Sequence, residues 1–226
     1  MTKLTGFVRR YTSISAVVHM LRKQELHLLD PQSWDDRNDR YFMALYKEAR
    51  GAGGLYGLCA AQCSETYHHW RVFTGTADGA CVELNRTLME DALSKLEGIR
   101  FGEVDYLKLQ EATKLTARDV DRLPFVKREG FKAEEEYRVI AETRERQQPA
   151  LGIPMPIRWV NAVYLNPWLP QPIADSVKAT LRELPGCSKL RVVRSQLIDS
   201  GRWKQAGDIV AGKPRQPARP TLKPKA

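Results

Sequence analysis

From Leu55 to Cys63 the chain reads Leu-Tyr-Gly-Leu-Cys-Ala-Ala-Gln-Cys, a continuous, small-residue apolar run that fits a buried strand better than a surface one. A buried strand needs partners, and the flanking signals supply them. Leu4 to Tyr11 reads as a strand, followed by a Thr12-Ser13 cap and an amphipathic helix through Ile14, Val17, Val18 and Leu21. Glu25 to Leu29 reads as a second strand. Asp30 to Asp39 reads as a loop, and a helix through Tyr41, Leu45 and Ala49 should stop at Gly51. Further on, Glu65 to Phe73 suits a short helix carrying Trp70, Gly79 to Leu84 a strand, and Asn85 a cap for the helix through Leu88, Ala92 and Leu93. Strands are expected at Ile99 to Tyr106, Glu134 to Ala141, Arg158 to Leu165 and Leu190 to Val193, with a helix from Pro172 to Leu184. Strands and helices mixed without regular βαβ spacing predict an α+β domain of mainly antiparallel sheets with flanking helices.

The chain of 226 residues, 42% of them apolar, suffices for one hydrophobic core. Residues 1–210 are expected to form that domain, its last core segment ending near Trp203. Residues 211–226 are expected to form a disordered tail, since Lys213, Arg215, Arg219, Lys223 and Lys225 alternate there with Pro214, Pro217, Pro220 and Pro224 and no acidic residue. Without those five charges the formal +9 falls to +4. A basic arm suits nucleic-acid phosphates or another polyanion, and serves equally as a solubilising terminus. No apolar run is long enough to cross a bilayer and no export signal precedes the domain, so a cytoplasmic protein with free thiols is expected. Cys59, Cys63, His68 and His69 do not have the spacing of a standard zinc site.

The chemistry-bearing pattern is Glu134-x-Glu136-x-Arg138, written onto the expected strand. Alternation would turn these three to one face and Glu135, Tyr137 and Val139 to the other. Two arrangements fit: a solvated outer face with Arg138 pairing to a neighbour, or a site. In the second, Arg138 would keep both carboxylates ionised.

Taken in order, Arg10-Tyr11-Thr12-Ser13, Cys63-Ser64-Glu65, Trp70-x-x-Phe73 with Gly79-Ala-Cys-Val-Glu83, and Phe131-x-x-Glu134-x-Glu136-Tyr137-Arg138 resemble a bacterial and phage family catalogued as a domain of unknown function. Its signals are an R-Y-S/T-S start, a C-F-S-E strand end, a W-x-x-Y block and W-x-x-E-x-E-W/Y-R. The likeness runs from about residue 7 to residue 200. This chain departs from it at Phe131, where the family has tryptophan, and at Ser33-Trp-Asp-Asp-Arg-Asn-Asp39, which lacks the family's proline. More distantly, the layout is similar to the mono-ADP-ribosyltransferase fold, whose arginine, serine and glutamate would match Arg10, Ser64 and Glu136.

That resemblance implies NAD as cofactor and Glu136 as the carboxylate that stabilises an oxocarbenium-like state, with Glu134 engaging the incoming nucleophile. It implies Arg10 on the pyrophosphate, Ser64 orienting ribose or glutamate, and Tyr11 and Trp70 stacking on nicotinamide or a base. Each has a plainer reading: Arg10 an exposed charge, Ser64 a helix cap, Tyr11 and Trp70 core aromatics. The function expected is an NAD-dependent ADP-ribosyltransferase-like protein, a toxin or phage-conflict effector acting on nucleic acid or protein. The alternative is a noncatalytic module that holds nucleic acid or a protein partner. Gly51-Ala-Gly-Gly54 lacks the lysine of a phosphate-binding loop, and the histidines form no hydrolase triad.

Overall fold

A computed structural model describes residues 3–213 of the chain. The first strand, β1 (Phe7–Ser13), leads into α1 (Ile14–Lys23), where the Ser13 side chain accepts from the Ala16 amide as the sequence anticipates. After β2 (Glu25–Leu29) a 3-10 turn at Pro31–Ser33 precedes α2 (Arg37–Arg50). That helix starts inside the expected loop, because Asp36 accepts from the amides of Asn38 and Asp39 and so caps it. Gly51 ends it at φ 61°, a left-handed conformation that glycine adopts without strain.

The apolar run forms β3 (Gly54–Ala61), followed by α3 (Tyr67–Phe73), β4 (Gly79–Asn85) and α4 (Arg86–Leu93), the last capped by Asn85. The expected single strand from Ile99 is two, β5 (Ile99–Glu103) and β6 (Asp105–Leu107). Then come a one-turn α5 (Leu109–Ala112), a 3-10 stretch Ala117–Phe125, β7 (Val126–Arg128) and a second 3-10 stretch Glu129–Glu134. The chain closes with β8 (Glu136–Thr143), β9 (Ala150–Pro154), β10 (Val160–Leu165), α6 (Gln171–Glu183), β11 (Val192–Arg194) and α7 (Gly201–Val210).

The architecture is α+β with a mixed, mostly antiparallel sheet, as expected. Nine strands form the main sheet in the order β11-β10-β4-β1-β3-β2-β9, with β8 added to β3 and β5 to β8; β6 and β7 pair separately. Within the main sheet only β10 and β11 run parallel. β3 is where the sheet divides. It pairs with β8 from Gly54↔Thr143 to Ala61↔Glu136, yet meets β1 only at Arg9↔Ala61 and β2 only at Leu29↔Gly57.

Alternation sorts the faces. Tyr56, Leu58 and Ala60 of β3 join Tyr137, Val139 and Ala141 of β8 in the main core under α1 and α4. The opposite face carries Leu55 and Ile140 with Met43 and Tyr46 of α2, and a separate cluster of Tyr11, Ala61, Cys63, Trp70 and Cys81.

One expectation needs correction. Trp203 does not close the core, since it stands 82% exposed on α7, a helix that continues the ordered chain to Val210. Of the tail expected from 211, Ala211, Gly212 and Lys213 are within the described residues and the remainder lies outside them.

Candidate functional site

The strand expected at Glu134 begins at Glu136 instead. Glu135 takes φ 45°, ending the 3-10 stretch and breaking the alternation before β8 starts. Glu134 therefore reaches the Glu136 face from outside the strand. It gets there through Lys127 of β7, whose Nζ lies 2.5 Å from Glu134 Oε2 and 3.1 Å from Glu136 Oε2. Arg138 closes the other side: Nε donates to Glu136 Oε1 at 2.5 Å, Nη2 to Glu136 Oε2 at 3.0 Å and to Asp39 Oδ2 at 2.5 Å, and Nη1 to the Pro124 carbonyl at 2.9 Å.

These five charged groups are buried or nearly so, which overturns the solvated-face arrangement. Trp34 roofs them, its ring centroid 5.1 Å from Arg138 Cζ. The expectation that Arg138 keeps two carboxylates ionised holds for one of the pair. Burial would push the Glu136 carboxyl up, but Arg138 and Lys127 bring it down to about 2. For Glu134 burial outweighs Lys127, and for Asp39 it outweighs Arg138 and Lys127, so both are raised.

Arg10 approaches Glu136 by way of Cys59. Its Nη1 donates to the Cys59 carbonyl at 3.0 Å, and the Cys59 thiol lies against the Glu136 carboxylate. Burial, and after it Glu136, pushes that thiol well above the ordinary range, so it stays protonated. Arg9, its neighbour, is clamped by Glu83 at 2.8 Å and lies over the Tyr164 ring. Arg10 by contrast has no carboxylate within ion-pair distance among the described residues. It lines a cleft of about 360 Å³ between β1, α1, β2 and β3, together with Thr12, Ser15, His19, His27 and Leu58.

Tyr11 and Trp70 belong to a second group on the β1–α3 side. Their rings meet edge-on at 5.2 Å, and Tyr11 stacks on His69 at 5.3 Å. The plain core-aromatic reading accounts for their burial. One atom departs from it: the Tyr11 hydroxyl is buried without a hydrogen-bond partner among the described residues. His69 links this group to the glutamates, with Nδ1 at 2.6 Å from Thr66 Oγ1 and Nε2 at 3.0 Å from the Glu134 carbonyl. Ser64 lies half-buried in the turn after β3, with no side-chain hydrogen bond among the described residues. It is not the α3 cap, because Thr66 takes that place by accepting from the His69 amide.

Asp39, Lys127 and Trp34 escaped the sequence reading. The helix-start signal Asp36-x-x-Asp39 falls inside the segment expected as loop. Lys127 carried none, since it acts by tertiary approach from a three-residue strand. The zinc-like set also changes: Cys63 Sγ does lie 3.8 Å from His69 Nε2, but Cys59 turns to Glu136.

No protein-family model matches the chain, and no curated protein matches it. Among solved structures it is similar to Thermus sp. 2.9 DarT in complex with ADP-ribosylated ssDNA, at a TM-score of 0.45 and 14% identity over 86% of this chain and 98% of that one. The same Thermus protein in complex with NAD+ gives 0.42 and 12%, over 84% and 96%. A likeness of this size assigns neither family nor activity.

Proposed function

We propose that the protein is ADP-ribosyltransferase-like and that it binds NAD in the cleft beside the division of the sheet. The observation that carries this reading is Arg10, a half-buried guanidinium that lines that cleft with no carboxylate within ion-pair distance among the described residues, the ionised Glu136 acting on it from farther off. Burying a charge without a partner is costly, and a phosphate anion would remove the cost while matching the planar donor fork. A volume of about 360 Å³ is within the ordinary range for a small-molecule cleft.

NAD would supply a nicotinamide–ribose bond whose cleavage develops positive charge on the sugar. Glu136 suits that need because it stays ionised over the whole physiological range, as a charge-stabilising group must and a general acid must not. Cys59, between Arg10 and Glu136, sets their spacing. The orphaned Tyr11 hydroxyl is a candidate donor to a ligand. In this reading Glu134, Ser64 and Trp70 keep the roles the resemblance implies, and the acceptor is nucleic acid or protein.

One observation favours a noncatalytic binding module instead: both Glu136 oxygens are already engaged, by Arg138 and Lys127, and the residue is 4% exposed. Calorimetric titration of the full chain with NAD separates the two. Saturable NAD binding, lost in Arg10→Ala at an unchanged thermal midpoint, supports the first reading. Absence of binding at millimolar NAD overturns it. Binding to single-stranded nucleic acid that vanishes on removal of residues 214–226, without any NAD response, supports the second.

A further inference from the structure

We propose that His19, Glu25 and His27 form a binding site for a divalent first-row transition metal of the zinc class. Their candidate ligand atoms all lie within 4.8 Å of one another. The site is built by two regular elements. Glu25 and His27 alternate onto one face of β2 while Leu26 and Leu28 between and beyond them sink fully into the core. His19 stands on the outer side of α1, two residues from the buried Val17 and Leu21, and its ring centroid is 4.8 Å from that of His27.

A metal held at about 2.0–2.2 Å by nitrogen and oxygen in a tetrahedral arrangement sets its ligands roughly 3.3 Å apart. His27 Nε2 and Glu25 Oε2 are already 3.6 Å apart. His19 is exposed and free to swing the remaining distance.

The backbone opposite supports the same reading. On β9, Gly152 pairs with His27, and a Cβ there would come 3.2 Å from Glu25 Oε2 and 3.3 Å from His27 Nε2. The glycine is thus what leaves room around these two ligand atoms. Two imidazoles and one carboxylate suit zinc, nickel, copper or iron rather than magnesium or calcium, and they leave coordination positions for water or an anion. The cleft that Arg10 and Thr12 line is shared with His19 and His27, so such an anion would be held from both sides. The metal site does not depend on NAD binding.

The test is titration of the chelator-treated full chain with Co2+, followed by displacement with Zn2+. We expect one equivalent, with visible absorption from nitrogen and oxygen ligands. His19→Ala and His27→Ala should each weaken it by about tenfold or more, given that even second-sphere changes cost that much. His19 is exposed, so its variant keeps the fold. Gly152→Ala should weaken uptake at an unchanged thermal midpoint, an effect that a plain Glu25–His27 ion pair does not produce. Cys63→Ser should leave uptake intact. The proposal is overturned by no uptake below millimolar metal, by uptake that survives both histidine variants, or by a sulfur-to-cobalt band that disappears in Cys63→Ser.

Discussion

Arg138 grips Glu136 from two residues along the same strand face, with Nε to Oε1 at 2.5 Å and Nη2 to Oε2 at 3.0 Å, and the same guanidinium reaches Asp39 on α2. The fork ties the β8 end of the sheet to the helix that covers it. Replacing a buried, fully paired cation strands its partners, so Arg138→Met should cost about 3–5 kcal/mol in urea unfolding. Arg138→Lys should recover part of that, because a point charge cannot serve Glu136, Asp39 and the Pro124 carbonyl together. Equal losses in the two variants would mean that the fork geometry contributes nothing.

Glu134→Gln and Glu136→Gln should differ sharply although the residues are two apart. The network holds three carboxylates against Lys127 and Arg138. In Glu134 burial outweighs the pull of Lys127, and a glutamine still offers Lys127 an acceptor, so that variant should stay within about 1 kcal/mol of the parent. Glu136→Gln removes the charge and one of the two acceptor oxygens of a bidentate pair and should cost about 1–3 kcal/mol. Activity lost in Glu136→Gln has to be set against that loss of stability, which makes Arg10→Ala the cleaner probe of NAD binding.

Acid should destabilise the protein in two stages. His69 is buried and its pKa is lowered from 6.5, mainly by desolvation, so the unfolded chain takes up a proton first. Stability from His69 is fully present above about pH 6.5 and declines as pH falls from there towards the folded value. Glu136 works lower down. Its pKa is depressed from 4.5 to about 2, so its contribution is present above 4.5 and is lost as pH falls through that interval. His69→Asn should flatten the first stage and leave the second. A denaturation midpoint that stays flat between pH 6.5 and 5 in the parent would exclude the His69 contribution.

Much of the fold was legible because its signals are local. Ser13 and Asn85 start helices and Gly51 stops one through contacts a few residues long, and the apolar run at β3 announces burial on both faces. The site was legible only in part. Arg10 and Glu136 lie on separate strands; strand alternation marked Glu136, whereas Arg10 was marked only by the resemblance, and the structure brings both to Cys59. Glu134 was placed on the right face for the wrong reason: Glu135, not a glycine, adopts the left-handed conformation that breaks the strand, and nothing in its side chain signals this. Alternation alone puts Glu25 and His27 on one face of β2, but the approach of His19 to them, like that of Lys127 to the glutamates, is tertiary and no sequence period encodes it.

Trp34 and Gly57 should be energetically coupled. Gly57 lies in the middle of β3, where glycine weakens a strand, and its use there needs a reason. A Cβ at that position would fall 2.6 Å from Trp34 Cζ2, so the indole rests where an ordinary strand residue would project. Gly57→Ala alone should cost about 1–3 kcal/mol through overpacking, by lifting the ring from β3 and from Arg138. On a Trp34→Ala background the clash is gone, and the added methyl should be neutral or stabilising through strand propensity. A double-mutant cycle measures the difference, expected at about 1 kcal/mol or more. Additive effects would show that Trp34 does not hold its place over the buried charges by packing on the glycine.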